Sequence, residues 1–213
     1  MVAPKIKICG VTTRDALDAC IAARAEYVGL NFFPPSPRYA TPRVASELAE
    51  QSGGSIERVG VFVDPDDSLL REAIAAGKLD AIQLHRATAA RRAEISSRFG
   101  LPVWAVLEIS APKDLAALGH FECFDRLIYD AKTPKGTLPG GMGLSFDWTM
   151  LQTANHPGPW GLAGGLRPAN VAEAVAMTGA PLVDTSSGVE TAPGVKDVDL
   201  IKAFCQAARE EKS

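Results

Sequence analysis

Short apolar runs rich in β-forming residues alternate along the chain with longer segments in which apolar residues recur at helical spacing. This alternation is typical of repeated βα units built around a parallel sheet. The runs predict eight strands, at Lys5 to Cys9, Tyr27 to Phe32, Arg58 to Val63, Ala81 to Leu84, Val103 to Leu107, Leu127 to Tyr129, Trp160 to Ala163 and Leu182 to Thr185.

The predicted helices differ in how clearly the spacing of apolar residues indicates them. The last helix has apolar residues at i, i+3, i+4 and i+7, namely Ile201, Phe204, Cys205 and Ala208. Cys20 has the same setting in the first helix, so we expect both thiols to lie in the core as small hydrophobic groups. Thr41 and Pro42 supply an N-cap and a first-turn proline for another helix. The sixth helix is the weakest, because it must fit between Asp147 and Thr153.

Eight βα units in 213 residues leave about 27 residues for each unit, close to the minimum for a (β/α)8 barrel. We therefore predict an α/β fold, a compact TIM barrel that forms a single domain over residues 1–213. Its long loops are expected after the second and the sixth strands. A doubly wound sheet is the alternative, but no GxGxxG follows the first strand and no GxxxxGK[ST] occurs in the chain.

The composition excludes several classes of function. The 22 Lys and Arg against 25 Asp and Glu give a net charge of −3, which argues against binding nucleic acid or an anionic membrane through an overall positive field. The four cysteines include no CxxC pair, and the three histidines form no HExxH motif. We expect neither a disulfide framework nor a metal site. Neither a signal-length apolar run nor a membrane-length span is present, so a cytoplasmic location is predicted.

Two reactive side chains stand where predicted strands end, and in a barrel these ends surround one mouth. Cys9 closes the first strand and is followed by Gly10; it is either another buried thiol or a reactive one. Asp130 closes the sixth strand, where a carboxylate can also simply cap a turn. The Gly- and Pro-rich stretch from Thr133 to Gly143 behind it is typical of a lid over a site.

Two further side chains are expected at the same mouth. Arg38 lies in a proline-rich loop after the second strand, which would hold its planar guanidinium for a carboxylate or a phosphate; a solvated surface arginine is the alternative. His85 follows the fourth strand, and as a lone histidine it is expected to form hydrogen bonds rather than to catalyse.

Small-residue turns follow the seventh and eighth strands. Their backbone N–H groups can approach an anion closely, and barrel enzymes often bind phosphate there. The residues concerned are Gly164, Gly165, Asp184, Ser186, Ser187 and Gly188.

Seven strings in one order carry a family resemblance: KICGVT, GLNFFPPSPRY, VGVFVD, IQLH, YDAKTP with GGMGLSFDW, LAGGLRPANV and VDTSSGVETAPGVKD. Together they resemble the phosphoribosylanthranilate isomerase family, which performs an Amadori rearrangement in tryptophan biosynthesis. The resemblance implies that Cys9 is the general base and Asp130 the general acid. It also implies that Arg38 receives the anthranilate carboxylate, that the small-residue turns hold the phosphate, and that Asp184 lies near the sugar.

The family chemistry implies a protonated Asp130 with a raised pKa and a Cys9 whose thiolate needs only modest help from a nearby cation or dipole. It demands no cofactor and no metal. The partner is one small phosphorylated substrate, and a homodimer and a monomer are equally compatible with the sequence. Three positions depart from the usual pattern: Leu144 replaces a common lysine, Arg86 a glycine, and Ala131 a threonine.

Three rival functions stay open. The departures are compatible with a phosphate-binding barrel that has lost turnover. The histidine-pathway aminoaldose isomerase performs the same rearrangement, but its family uses an aspartate where this chain has Cys9. A thiol hydrolase would use Cys9 as nucleophile and His85 as its base.

Overall fold

The computed structural model describes residues 3–133 and 143–210. Eight parallel strands pair in chain order, and β1 also pairs with β8, so the sheet closes into a barrel. The predicted TIM barrel is therefore confirmed, with each strand end within two residues of its predicted position. The strands are β1 (Lys5–Cys9), β2 (Tyr27–Asn31), β3 (Glu57–Val63), β4 (Ala81–His85), β5 (Val103–Ile109), β6 (Arg126–Ala131), β7 (Trp160–Leu162) and β8 (Leu182–Thr185).

Six α-helices surround the barrel in the described ranges: α1 (Arg14–Ala22), α2 (Pro42–Ser52), α3 (Asp67–Gly77), α4 (Ala89–Phe99), α5 (Val171–Thr178) and α6 (Val198–Arg209). As predicted, Thr41 caps α2: its hydroxyl accepts a hydrogen bond from the backbone N–H of Val44, and Pro42 opens the first turn. Thr13 and Thr88 cap α1 and α4 in the same way. No helix within the described ranges is long and apolar enough to cross a membrane.

The connections after β5 and β6 depart from the eight predicted βα units, because neither contains an α-helix. Both are 3-10 segments, Pro112–His120 and Trp148–Leu151. The second is short because Asp147 caps its start and Pro157 and Pro159 stand between its end and β7, where they cannot continue a helix. The predicted lid from Thr133 to Gly143 lies outside the described residues except at its two ends.

The loop after β8 is more elaborate than predicted. A 3-10 turn, Ser187–Val189, leads into an antiparallel hairpin of β9 (Glu190–Ala192) and β10 (Val195–Lys196) before α6 begins. The expectation of long loops only after the second and sixth strands is therefore wrong. The period-two pattern that predicts strands does not register a hairpin this short, since only five residues of it are paired strand.

The core has two layers separated by the barrel wall. The outer layer lies between strands and helices and includes Cys20 and Cys205, both buried as predicted. The inner apolar layer is formed by Tyr27, Val59, Ala81, Trp104, Ile128, Ala163 and Leu182. Because side chains alternate along a strand, the residues two positions beyond Ala81, Ile128 and Leu182 also face inward. These are Gln83, Asp130 and Asp184, so the barrel interior changes from apolar to polar towards the carboxyl ends of its strands.

Candidate active site

A pocket opens at the carboxyl ends of the barrel strands, where the sequence predicts a functional site. It is lined by every predicted site residue: Cys9, Arg38, His85, Asp130, Gly164, Gly165, Asp184, Ser186, Ser187 and Gly188. The barrel thus brings together residues that are spread over most of the chain. Among residues 3–133 and 143–210, no three His, Cys, Asp or Glu side chains are grouped as metal ligands would be.

Cys9 stands at the end of β1, opposite Gly29 of β2. Its Sγ lies 3.6 Å from the side-chain oxygen of Asn31, which accepts a weak hydrogen bond from the thiol. Burial raises the pKa of Cys9 above its ordinary value, while the cations Lys7 and Lys196 act in the opposite direction. The expected cations are therefore present, but burial outweighs them and the resting group is a thiol.

Lys7 and Asp184 form an ion pair inside the barrel, with 2.7 Å between Nζ and Oδ2. Lys7 is fully buried. Burial alone would lower its pKa, but the Asp184 carboxylate and the neighbouring Cys9 raise it overall, so the lysine is cationic. The other Asp184 oxygen, Oδ1, is buried and has no partner among the described residues. An acceptor left in this way is suited to a ligand hydroxyl.

Asp130 lies near the end of β6, next to Ala131, whose backbone N–H donates to Oδ1 over 2.8 Å. Burial and then the negative charge of Asp184 raise the pKa of Asp130 to about 7. A carboxyl group with this pKa is partly protonated at neutral pH, which is what a general acid requires. The raised pKa expected from the family chemistry is therefore present in the structure.

Arg38 is buried at the pocket edge rather than solvated. Its Nε and Nη2 donate to the two oxygens of Glu190 over 2.8 and 2.7 Å, a bidentate arrangement that fixes the plane of the guanidinium. Gly10 packs beneath it: the glycine has a φ of +76°, and a Cβ there would lie 2.6 Å from Arg38 Cδ. Arg38 is therefore held in one orientation, as the proline-rich loop predicts, and Glu190 contributes two of the hydrogen bonds that hold it.

His85 is buried beside Gln83, with 3.4 Å between the two Nε2 atoms. Burial, followed by the charges of Lys7 and Arg86, lowers the pKa of His85 to about 4, so the ring is neutral at physiological pH. His85 Nδ1 and Gln83 Oε1 have no partner among the described residues. The thiol of Cys9 contacts Asn31 and not this histidine, so the geometry does not favour a Cys–His hydrolase.

The turns after β7 and β8 are locked against each other. Thr185 Oγ1 donates to the carbonyl of Leu166 over 2.7 Å, and a Cβ on Gly188 would lie only 1.9 Å from that same oxygen. α5 begins at Val171, shortly beyond. The Ser186 hydroxyl donates to the carbonyl of Cys9 over 3.0 Å, which ties the second turn to β1. The two turns therefore lie together at one side of the pocket, where their backbone N–H groups can approach an anion.

Comparison with known proteins agrees with this geometry. The family model described as N-(5'-phosphoribosyl)anthranilate (PRA) isomerase matches residues 6–207. The chain belongs to this isomerase family. One relative, the N-(5'-phosphoribosyl)anthranilate isomerase of Paramagnetospirillum magneticum, is 53% identical over 208 residues, which cover 96% of this chain and 97% of the relative.

Solved structures of the isomerase family share the fold. Monomers generated from the dimeric phosphoribosylanthranilate isomerase of Thermotoga maritima match with a TM-score of 0.83 and 31% identity, covering 96% of this chain and 98% of that one. A phosphoribosyl anthranilate isomerase in complex with reduced 1-(o-carboxyphenylamino)-1-deoxyribulose 5-phosphate matches with a TM-score of 0.83 and 30% identity over the same shares. The chain is accordingly an isomerase with a TIM-barrel fold.

The departures from the usual isomerase pattern touch the site lightly. Ala131 contributes its backbone N–H to Asp130, which any residue except proline would do. Arg86 follows β4 in left-handed backbone with φ of 60° and is exposed. Leu144 lines the pocket and is 38% exposed, so the position that lacks the common lysine lies at the rim of the pocket.

Several site residues are not predicted from the sequence: Lys7, Asn31, Gln83, Glu190 and Lys196. A signal exists for some of them. Inward-facing residues recur every second position, so Lys7 follows from Cys9 and Gln83 from His85 once the strands are known. Glu190 and Lys196 lie in the hairpin, where only the folded structure brings them back to the pocket.

Proposed function

We propose that Cys9 as general base and Asp130 as general acid isomerise N-(5'-phosphoribosyl)anthranilate in tryptophan biosynthesis. The observation that carries this assignment is their joint presence in one pocket, with the pKa of Asp130 raised to about 7 and the thiol of Cys9 beside two buried lysines. Membership of the isomerase family supplies the reaction, and the geometry supports the division of roles.

The first step opens the ribose ring. Asp130 donates its proton to the ring oxygen as the bond between that oxygen and the anomeric carbon breaks, and the nitrogen lone pair forms a protonated imine. A group that protonates a leaving oxygen must be protonated before the reaction and deprotonated after it, so a pKa near the working pH serves it best.

The second step moves the double bond. The cationic imine acidifies carbon two of the sugar, and the thiolate of Cys9 removes the proton from that carbon to give an enolamine. Tautomerisation of the enolamine gives the ketone and completes the rearrangement. Lys7 and Lys196 favour the thiolate over the thiol, and so they lower the free energy needed to form the base inside a buried site.

Substrate binding divides over three parts of the pocket. Arg38 receives the anthranilate carboxylate with its oriented guanidinium. The turns containing Gly164, Gly165, Ser186, Ser187 and Gly188 hold the phosphate through backbone N–H groups. The unpartnered acceptor of Asp184, together with His85, faces the ribose hydroxyls.

We further propose that the chain works as one barrel unit in the cytoplasm, where its four free cysteines would stay reduced. The dimeric enzyme of Thermotoga maritima provides a precedent for a dimer, and the monomer is the alternative. Size-exclusion chromatography with light scattering decides between these two assemblies.

The test of the function is turnover of the substrate itself. Purified protein is mixed with N-(5'-phosphoribosyl)anthranilate, and the decay of the substrate fluorescence is followed; complementation of a tryptophan auxotroph lacking this step is the parallel measurement in cells. Binding of the reduced product analogue without turnover would instead support a phosphate-binding barrel. Turnover of the histidine-pathway aminoaldose in place of this substrate would support the other isomerase.

A further inference from the structure

Three charged side chains form a buried cluster at the edge of the pocket, where Arg38 is proposed to bind the substrate carboxylate. Glu190 lies at its centre: Arg38 binds both of its oxygens, and Lys196 Nζ donates to Oε1 over 2.6 Å. The side chains of Glu190 and Lys196 are only 3% and 1% exposed. Lys196 also donates to the backbone carbonyl of Ser186 over 2.9 Å, so the hairpin is anchored to the turn that borders Cys9.

The charges of this cluster do not cancel. A buried Arg38–Glu190 pair alone would be neutral, and a neutral pair attracts an incoming carboxylate weakly because Glu190 repels it nearly as much as Arg38 attracts it. Burial lowers the pKa of Lys196, but the Glu190 carboxylate 2.6 Å from its Nζ favours the ammonium form, and with Lys196 protonated the cluster carries one net positive charge. Burial opposes ionisation of Glu190, but the hydrogen bonds from Arg38 and Lys196 hold its pKa below the usual value, so the central carboxylate is present.

Neutralising Glu190 does not require a second buried cation. Glu190 already has a bidentate partner in Arg38, and taking an ammonium group out of water is costly unless the charge is used. We infer that Lys196 is a specificity-determining residue: it gives the Arg38–Glu190 pair the net positive charge with which that pair binds the carboxylate of the substrate. This inference rests on the proposed role of Arg38.

Two other roles for Lys196 make different predictions. It could serve only to anchor the hairpin through Ser186, in which case its loss would weaken every ligand of the pocket equally. It could act only on Cys9, whose pKa it lowers, in which case its loss would change turnover and its pH dependence but not the binding of an unreactive ligand. Only the inferred role couples Lys196 to the charge on the aromatic ring of the ligand.

The experiment compares two unreactive ligands. One is the reduced product analogue, which carries the carboxylate; the other has a carboxamide in its place, which keeps the size and removes the charge. Dissociation constants are measured by calorimetry for the wild type, Lys196→Gln, Lys196→Met and the double variant Glu190→Gln/Lys196→Met. The glutamine variant keeps a donor for the Ser186 carbonyl, and the double variant has the same net cluster charge as the wild type.

We expect the wild type to prefer the carboxylate ligand at least about tenfold, and both single variants to lose most of this preference while binding the carboxamide within about twofold of the wild type. The double variant should recover most of it. Equal weakening of both ligands, a loss confined to Lys196→Met, or no recovery in the double variant would overturn the inference. A wild type without preference would overturn it as well, together with the role of Arg38, while the turnover assay would still judge the isomerase function separately.

Discussion

The two members of the Lys7–Asp184 ion pair have opposite effects on the pKa of each proposed catalytic group. Lys7 lowers the pKa of Cys9 and of Asp130, whereas Asp184 raises both. The two side chains lie 2.7 Å apart inside the barrel. Burial is the largest cause of both shifts, and the charges of the ion pair act in addition to it, so a change to either member should move the pKa values of Cys9 and Asp130 in the same direction.

Removing either proposed catalytic group should reduce kcat. We expect Cys9→Ser and Asp130→Asn each to lower it by about 100- to 10,000-fold, the usual contribution of a general acid or base, because serine is a far weaker base and asparagine carries no transferable proton. Fluorescence decay of the substrate under saturating conditions measures this. Arg38→Ala serves as the contrast, since its main effect should be on KM; turnover close to wild type in both catalytic variants would contradict the assignment.

The pH profile of kcat/KM should be a broad bell in which the break at low pH belongs to the general acid and the break at high pH to the general base. The reaction needs Asp130 protonated and Cys9 deprotonated, but the pKa of Asp130 is about 7, and burial raises the pKa of the Cys9 thiol above its ordinary value, well above that of Asp130. Only a minor ionisation state is therefore active. The rate should rise with pH up to about 7, stay level, and fall above the pKa of Cys9, with the acid break belonging to Asp130. A profile without a level region near pH 8 would contradict this order.

Asp184→Asn should move both breaks of that profile to lower pH. The lost negative charge no longer raises the pKa of Asp130 or of Cys9, so both groups give up their protons more easily. The variant leaves Lys7 buried without its ion partner, which typically costs about 3–5 kcal/mol of unfolding free energy. Profiles are therefore measured well below the unfolding temperature, and breaks at unchanged or higher pH would show that Asp184 does not act through charge.

The resting state of Cys9 can be read from its alkylation by iodoacetamide, because the thiolate, and not the thiol, attacks the reagent and displaces iodide. In a Cys123→Ser background, which removes the exposed thiol, the rate should rise with pH, with a midpoint above the ordinary pKa of a free thiol because burial raises the pKa of Cys9. Adding Lys7→Met should move the midpoint higher still, because a cation that favours the thiolate is lost. Cys20 and Cys205 are buried and should stay unmodified in the folded protein, as mass spectrometry of the labelled peptides would verify.

Gly188→Ala should disrupt the proposed phosphate turn. A methyl group there would meet the carbonyl of Leu166 at 1.9 Å, so the turn must shift, and we expect a loss of about 1–3 kcal/mol of unfolding free energy together with a higher KM. Gly119→Ala is the matched control, since nothing lies within 4 Å of its added Cβ. Thermal unfolding and steady-state kinetics of both variants measure the difference; equal behaviour would show that the turn tolerates the methyl group.

The barrel and most of the pocket follow from the sequence because they rest on repeated patterns. Alternating βα segments define the strands, and strand ends such as Cys9 and Asp130 meet at one mouth whatever the helices look like. The prediction of a helix after β6 is wrong because the segment is short and prolines follow it, so it forms only a 3-10 segment. Glu190 and Lys196 escape prediction because their partners are set by the tertiary fold, which no local pattern encodes.

The contacts at the site also constrain when it can form during synthesis. Lys7 and Asp184 are 177 residues apart in sequence, and Arg38 and Glu190 are 152 apart. When β1, β2 and the loop after β2 have emerged from the ribosome, the nascent chain contains Lys7 and Arg38, but their carboxylate partners have not yet been translated. Packing Lys7 into an apolar interior at that stage would bury an uncompensated charge. We therefore expect the barrel to close late, with the arrival of β8 as the step that commits the chain to its native state.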